Sequence, residues 1–397
     1  MNAPTTIRRS LPVRAKIVSA LIAFALLPLL ALAGGLWFEV GDIKRTQMSR
    51  VEQAAHTIND VIDRNLFERY GDVQAFGYNA AAEDPKNWNN PGDGNPLVVA
   101  MNRYMANYGI YKLMMLVSPD GKVLAVNSKD AGGKPLATEA LYQKSYAGAS
   151  WLKAALGGQF LKGKNGFTGS VVEQPARHPE LASLYKGDDY ALIFAAPVTD
   201  EKDNTIGVWV NFAGFDLVEQ IIEVSARHLE ESGLANAEIT LMDEKGLLLV
   251  DFDLAQVGKG KYVRDWNLIA KRNLVTDGVE AAKLAAAGKT GAIESIHSRK
   301  NVAQVTGFDF AEGAYDYPGL KWSTLVRVPT EYAYAAVNTV VLQVVVILII
   351  AAAAAAIIGL WFGNVLAKPI RRVTAALTDL TAGKVDIAPT GKEAGDE

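Results

Sequence analysis

The sequence predicts an α+β protein: a long N-terminal helix carrying two antiparallel-sheet units, flanked by two transmembrane helices. Three observations predict it. Two charge-free apolar runs stand near the ends of the 397-residue chain, each bordered on one side by basic residues. Between them a stretch with few helix breakers carries an apolar repeat at helical spacing. Further on, the motif "apolar run, Asp/Gly turn, apolar run" recurs.

Residues 1–16 read as a cytoplasmic N-terminus. Residues 17–38, Ile17 to Phe38, contain no charge and run about 22 positions, enough to cross a hydrocarbon core of roughly 30 Å. Arg8, Arg9, Arg14 and Lys16 precede them and Glu39 and Asp42 follow, so the basic end stays inside. The competing reading is a cleaved signal peptide, with Ala31-Leu32-Ala33 as a cleavage site. Its apolar region should be shorter, about 7–15 residues. Residues 42–79 repeat apolar side chains at Val51, Ala54/Ala55, Ile58, Val61/Ile62, Leu66 and Val73, a helix continuing from the span. Asp84 to Pro96 is rich in Pro, Asn, Gly and Asp and reads as loop.

The period then changes. Tyr111–Val117 and Lys122–Asn127 flank Ser118-Pro119-Asp120-Gly121, a hairpin signal. Ala191–Pro197 and Thr205–Phe212 repeat it, followed by a helix over Leu217–Leu229. Ala237–Met242 and Leu247–Phe252 flank Asp243-Glu244-Lys245-Gly246, and Gly291–Ser298, Val302–Phe308 and Leu320–Val328 complete the set. These strands divide into a distal unit over about 101–215 and a proximal unit over about 237–329, within an exported region 39–336. No charge occurs between Glu331 and Lys368; residues 337–362 form the second span, and Lys368, Arg371 and Arg372 mark its cytoplasmic end.

Composition excludes several function classes. Lys+Arg 40 against Asp+Glu 43 leaves a formal charge of −3, without the basic footprint that nucleic acid requires. The absence of cysteine removes disulfides, thiolate metal sites and Cys nucleophiles. His56, His178, His228 and His297 have no metal-ligand spacing, and no Ser/His/Asp cluster stands in the exported region. The chain is therefore expected to be no enzyme and to carry no cofactor or metal.

A long helix followed by two sheet units between two spans resembles the double Cache domain of bacterial sensory receptors. The resemblance is carried by Leu116-Val117-Ser118-Pro119-Asp120-Gly121, by Ala195-Ala196-Pro197-Val198 with Ile206-Gly207-Val208, by Leu241-Met242-Asp243-Glu244-Lys245-Gly246, and by Pro318-Gly319-Leu320-Lys321-Trp322. It implies that both units are PAS-like. The tail is similar to the first half of a HAMP relay, residues 363–397. Pro369 opens its helix, Ile370, Val373, Leu377 and Leu380 form a heptad-like stripe, Gly383 ends it, and Glu397 belongs to a closing acidic pair. The competing reading is a juxtamembrane amphipathic helix without signalling. A half relay would leave its stripe unpaired, so the chain reads as part of a longer receptor.

The resemblance places a ligand in the distal unit. Trp151 stands about where the amino-acid-binding members carry a Trp, but no Arg lies beside it. Asp188, Asp189 and Tyr190 offer carboxylates and a phenol, and Asn211 stands about where those members carry a final Asp. Tyr142, Tyr146 and Trp151, at near-helical spacing, are more often core or interface aromatics than a ligand cage. The function expected is that of a two-pass inner-membrane receptor, a homodimer, that binds a small extracellular molecule and signals to cytoplasmic proteins. Methyl-accepting chemotaxis is the first output considered. A histidine kinase or nucleotide cyclase is the second, and a membrane-tethered enzyme a remote third.

Overall fold

A computed structural model describes residues 13–258 and 260–383. They fall into two units, residues 13–45 with 334–383, and residues 46–333. Glu397, of the expected acidic pair, lies outside the described residues.

In the first unit are the apolar parts of helix α1 (Val13–Gly77) and helix α7 (Ala335–Thr381), both long and apolar enough to cross a membrane. They approach closely at Gly363, where an added Cβ would lie 2.3 Å from Val18 Cγ2. The first span and the long helix are one continuous helix, as the sequence predicts. One expectation changes here. Pro369 lies inside α7 rather than at a helix start; an interior proline removes one backbone donor, a loss a long helix can absorb locally. Gly383 sits just past the helix with φ +77° and donates its N–H to Leu380 O (3.1 Å), so it ends α7 as expected. Ile370 and Leu377 on α7 are exposed.

The second unit begins with the rest of α1. Its stripe Val51, Ala55, Ile58, Ile62, Leu66, Tyr70, Val73 and Phe76 is buried throughout, because spacings of three and four keep one helical face inward. Helix α2 (Pro96–Tyr108) follows. The Asn95 side chain caps Leu97 N, Pro96 occupies the first turn, and Gly109 closes the end with φ +71°.

The distal sheet has strand order β2-β1-β5-β4-β3, with β1 Tyr111–Val117, β2 Val123–Val126, β3 Val171–Arg177, β4 Tyr190–Thr199 and β5 Thr205–Gly214. The proximal sheet repeats that order as β7-β6-β10-β9-β8, with β6 Glu238–Met242, β7 Leu248–Asp253, β8 Gly291–Ile296, β9 Ala303–Phe310 and β10 Ser323–Pro329. Every pairing is antiparallel. Gly121 closes the β1–β2 turn with φ +87°, and a Cβ there would lie 2.1 Å from Ala147 N, so only glycine fits.

Helices α3 (Ser150–Leu156) and α4 (Pro179–Tyr185) supply Trp151, Leu152, Ala155 and Leu181 to the core on one face of the distal sheet. On the other face, Phe76 of α1 meets Trp209 of β5 at 6.2 Å between ring centroids. Helix α5 (Asp216–Glu231) connects the sheets, and α6 (Glu280–Ala286) precedes β8.

Candidate ligand site

The seven residues expected at the distal site do not come together. Tyr142, Tyr146 and Trp151 lie against the α3–α4 face, with Leu113, Met115 and Val117 of β1 and Val208, Val210 and Phe212 of β5. Trp151 is 4% exposed and its ring centroid is 5.9 Å from that of Tyr146. Burial pushes both tyrosine hydroxyls up, that of Tyr146 further with help from Glu180. Asn211 lies on the opposite face, fully buried, where its Oδ1 accepts the Trp209 indole N–H (2.8 Å). Successive strand residues point to opposite faces, so Asn211 and its neighbour Phe212 lie on opposite sides of the sheet.

Asp188, Asp189 and Tyr190 form a third group at the sheet rim. Asp188 pairs with Lys112 and with Arg264 (3.0 Å). Burial would raise its carboxyl, but the bonds from Lys112 and Arg264 outweigh that and lower it. Asp189 pairs with Arg177 (2.9 Å), whose guanidinium stands 4.8 Å from the Trp266 ring. Tyr190 packs edge-on against Phe215 and Trp266, under the Arg264 guanidinium.

A polar site appears instead on the proximal sheet. Strand pairing gives the correspondence between units. Met115 faces Val126 and Val210, as Thr240 faces Asp251 and Leu325; Leu113 faces Phe212, as Glu238 faces Arg327. Hence Leu113, Met115, Val126 and Phe212 of the distal sheet correspond to Glu238, Thr240, Asp251 and Arg327 of the proximal one. All four proximal side chains are largely buried.

They are held by ion pairs across three strands and one turn. Arg327 Nη2 lies 2.8 Å from Glu238 and 3.3 Å from Asp251, and also donates to Thr240 Oγ1. From the β8–β9 turn, Arg299 reaches Asp251 (2.5 Å) and Glu238 (3.2 Å), and Lys300 reaches Glu238 (2.6 Å) and Asp253 (2.7 Å). His297 Nδ1 accepts the backbone N–H groups of Arg299 and Lys300 (3.1 Å each), which leaves Nε2–H to donate to Glu238 (3.0 Å). Burial alone would raise the Glu238 carboxyl. Arg327, with the bonds from His297 and Lys300, overrides it and holds the acid far below the usual carboxylate range.

Beside this network is a cavity of about 120 Å³ whose wall includes Asp251, Asp253, Tyr262, Asp265, Leu268 and Arg299. The Tyr262 hydroxyl has no hydrogen-bond partner among the described residues, and burial pushes it up. The segment that carries Tyr262 also reaches the distal rim. Arg264 forks onto Glu219 of α5 (2.6 and 2.9 Å) and Asp188, and Trp266 packs on Arg177 and Tyr190.

Replacing a buried ion network with apolar residues of similar size is often neutral or stabilising, and the distal sheet shows that this backbone accepts them. Apolar residues thus serve at the equivalent distal positions, and a charged cluster beside a cavity is a candidate binding site. Among the described residues no group of three or more His, Asp or Glu side chains is placed to hold a metal ion. Periodicity could have found this site: Glu238, Thr240, Asp251, Asp253 and Arg327 put polar groups at core positions of otherwise apolar strands.

No family model and no curated protein matches the sequence. Three solved structures with similar folds are sensory domains. The periplasmic sensory domain of a Campylobacter jejuni chemoreceptor is 15% identical, with TM-score 0.44, covering 74% of this chain and 98% of its own. The ligand-binding domain of a Pseudomonas aeruginosa amino acid chemoreceptor, in complex with GABA, is 15% identical, with TM-score 0.45 and coverage of 71% and 99%. The ligand-binding domain of a Pseudomonas fluorescens chemoreceptor, in complex with L-leucine, is 12% identical, with TM-score 0.46 and coverage of 74% and 99%.

Proposed function

We propose that this chain is the sensory portion of a two-pass inner-membrane receptor. Residues 39–336 face the periplasm or exterior and bind a small polar molecule at the charged face of the proximal sheet. The signal passes to a HAMP-type relay containing Pro369, Ile370, Leu377 and Gly383, and the output is chemotaxis. The chain works as a homodimer, in which a second copy covers the exposed apolar stripe of α7.

The observation that carries this reading is that α1 supplies both an apolar span and the buried stripe of the folded unit. A ligand that alters the packing around that stripe biases the helix between two positions, which is how a site outside a membrane can be read inside. The chemistry at the charged face is recognition, not turnover. Its acids and bases are already mutually neutralised, and no nucleophile with an adjacent base stands among them.

Thermal-shift measurements on the full chain in lipid nanodiscs, against a panel of small metabolites, test the binding step. A ligand raises the melting temperature because it binds the native state. Hundreds of compounds without a shift would sink small-molecule sensing. For the output, a strain deleted for the gene should lose a chemotactic response that its parent shows. Intact chemotaxis with a lost transcriptional response would move the output to a kinase.

A further inference from the structure

Helix α1 carries a second polar patch, on the other face of the proximal sheet from the charged network. His56, Asn59, Asp60 and Asp63 recur at i, i+3, i+4 and i+7, which places them on one side of the helix. Asn59 Nδ2 donates to Asp309 Oδ2 (2.7 Å) and to the Asp309 carbonyl (3.0 Å), and its Oδ1 accepts from Thr324 (2.6 Å). Thr290 donates to Asp309 Oδ1 (2.7 Å), and His56 Nδ1 stands 3.4 Å from the same oxygen. Asp63 Oδ2 accepts the Gly313 N–H (2.8 Å). Its other oxygen has no hydrogen-bond or ionic partner among the described residues, although Asp63 is 3% exposed.

These groups line a cavity of about 280 Å³, together with Phe310 and Glu312. Its wall holds four carboxylates, those of Asp60, Asp63, Asp309 and Glu312, and no Lys or Arg. Asp60 already has Arg64 as a partner (3.0 Å). Asp63 and Asp309 are each 3% exposed, and neither has a Lys or Arg partner among the described residues. A buried carboxylate without a counter-charge is costly and takes up a proton or a cation. Burial, opposed by the Gly313 N–H and reinforced by Asp60 and Asp309, pushes the Asp63 carboxyl up to about 7.

No group of three or more described His, Asp or Glu side chains is placed to hold a metal ion. An ammonium group on a small organic body suits the cavity. It brings three N–H donors and a positive charge to the free Asp63 oxygen and its neighbours, and an apolar end that can lie on Phe310.

We propose that this cavity binds a small protonated amine, clamped by Asp63 and Asp309 between α1 and the proximal sheet. The site is separate from the charged face on the other side of that sheet, and the inference stands whether or not the receptor reading holds. Binding takes Asp63 in its ionised form, so below neutral pH an incoming amine displaces the Asp63 proton to solvent.

The test is calorimetry on the full chain in nanodiscs, with ethylammonium chloride as probe and sodium acetate as anionic control. Saturable ethylammonium binding is expected, tighter at pH 8 than at pH 6 by roughly tenfold, because Asp63 is largely ionised only at the higher pH. Asp63→Asn keeps the shape and an acceptor for Gly313. It should weaken binding at least about tenfold and remove the pH dependence. Should that variant not fold, Glu312→Gln on the exposed wall should still weaken binding about threefold, a partial loss suited to a solvent-screened charge. The proposal is overturned if ethylammonium does not saturate, if acetate binds as well, or if the variants bind like the parent. It is also overturned if the protein responds to pH alone, with a proton as the sole occupant. Metabolite hits together with no saturable ethylammonium binding would leave the receptor reading standing and remove this site.

Discussion

The two sheets of the second unit share strand order, and both break register one residue before the end of their first hairpin strand, between Leu116 and Val117 and between Leu241 and Met242. They bury opposite chemistry. The distal face is closed by Leu113, Met115, Val126 and Phe212 under Trp151. At the same positions the proximal face holds Glu238, Thr240, Asp251 and Arg327, tied to a cationic turn and open to a cavity. One backbone thus supports a core that needs only shape and another in which every charge needs its partner. The distal face is suited to holding the fold, and the proximal one to exchanging its polar contacts for those of a ligand.

The largest expected effect breaks one side of this contrast. Arg327→Ala leaves Glu238 and Asp251 short of counter-charge and should cost about 3–5 kcal/mol. The equivalent distal change, Phe212→Ala, should cost about as much by opening a cavity. Acid separates the two in denaturation of the full chain. Because the folded Glu238 carboxyl is held below its ordinary 4.5, its stabilisation is complete above that pH and is lost as pH falls through the lower folded value. The Arg327→Ala deficit should therefore shrink in acid and the Phe212→Ala deficit should not. Equal deficits at every pH would mean that Arg327 contributes by packing alone.

Next in size is a change that sharpens the comparison by making the proximal face like the distal one. Glu238→Leu, Thr240→Met, Asp251→Val and Arg327→Phe together should leave stability unchanged or raise it by about 1–4 kcal/mol, while abolishing the ligand response. A variant that unfolds would show that the network is structural.

A smaller effect belongs to α1. The Asp63 carboxyl is raised, so its neutral form favours folding at low pH, and that contribution is lost as pH rises from its ordinary 3.8 to about 7. Asp63→Asn should therefore stabilise the protein by about 2 kcal/mol at pH 8 and change little below pH 4 in thermal melts. The smallest effect is that of Tyr262→Phe. It removes a hydroxyl with no partner and should shift stability by under about 0.5 kcal/mol, yet weaken ligand binding at the proximal cavity. Unchanged binding would place the ligand elsewhere.

Elements whose signal is local were legible in the sequence. The strand Tyr111–Val117 was read to the residue, and Thr205–Phe212 and Leu247–Phe252 to within two residues, since alternation and turn residues specify such hairpins. Strand β3 was missed. Pro175 sits at its register break and three polar residues interrupt it, which an edge strand tolerates but a pattern does not reveal. Helices α2, α3, α4 and α6 carry no such signal: only α2 has a side-chain cap, from Asn95, and α3, α4 and α6 are seven residues each and depend on tertiary contacts. The site was the least legible part. Asn211 and Phe212 are adjacent in sequence and face opposite sides of the sheet, and only pairing decides which meets Trp151.

By itself the sequence determined the two apolar helices, the long helix that runs on from the first of them, and the repeated hairpins. Each depends on residues within a few positions of one another, where period and turn chemistry suffice. Tertiary structure alone decided which charges meet. Glu238 finds Arg327 and His297, and Asp63 finds Gly313, across separations of 59 to 250 residues. Such pairings follow from strand register and helix docking, and a shift of one residue in either would carry these side chains to another face.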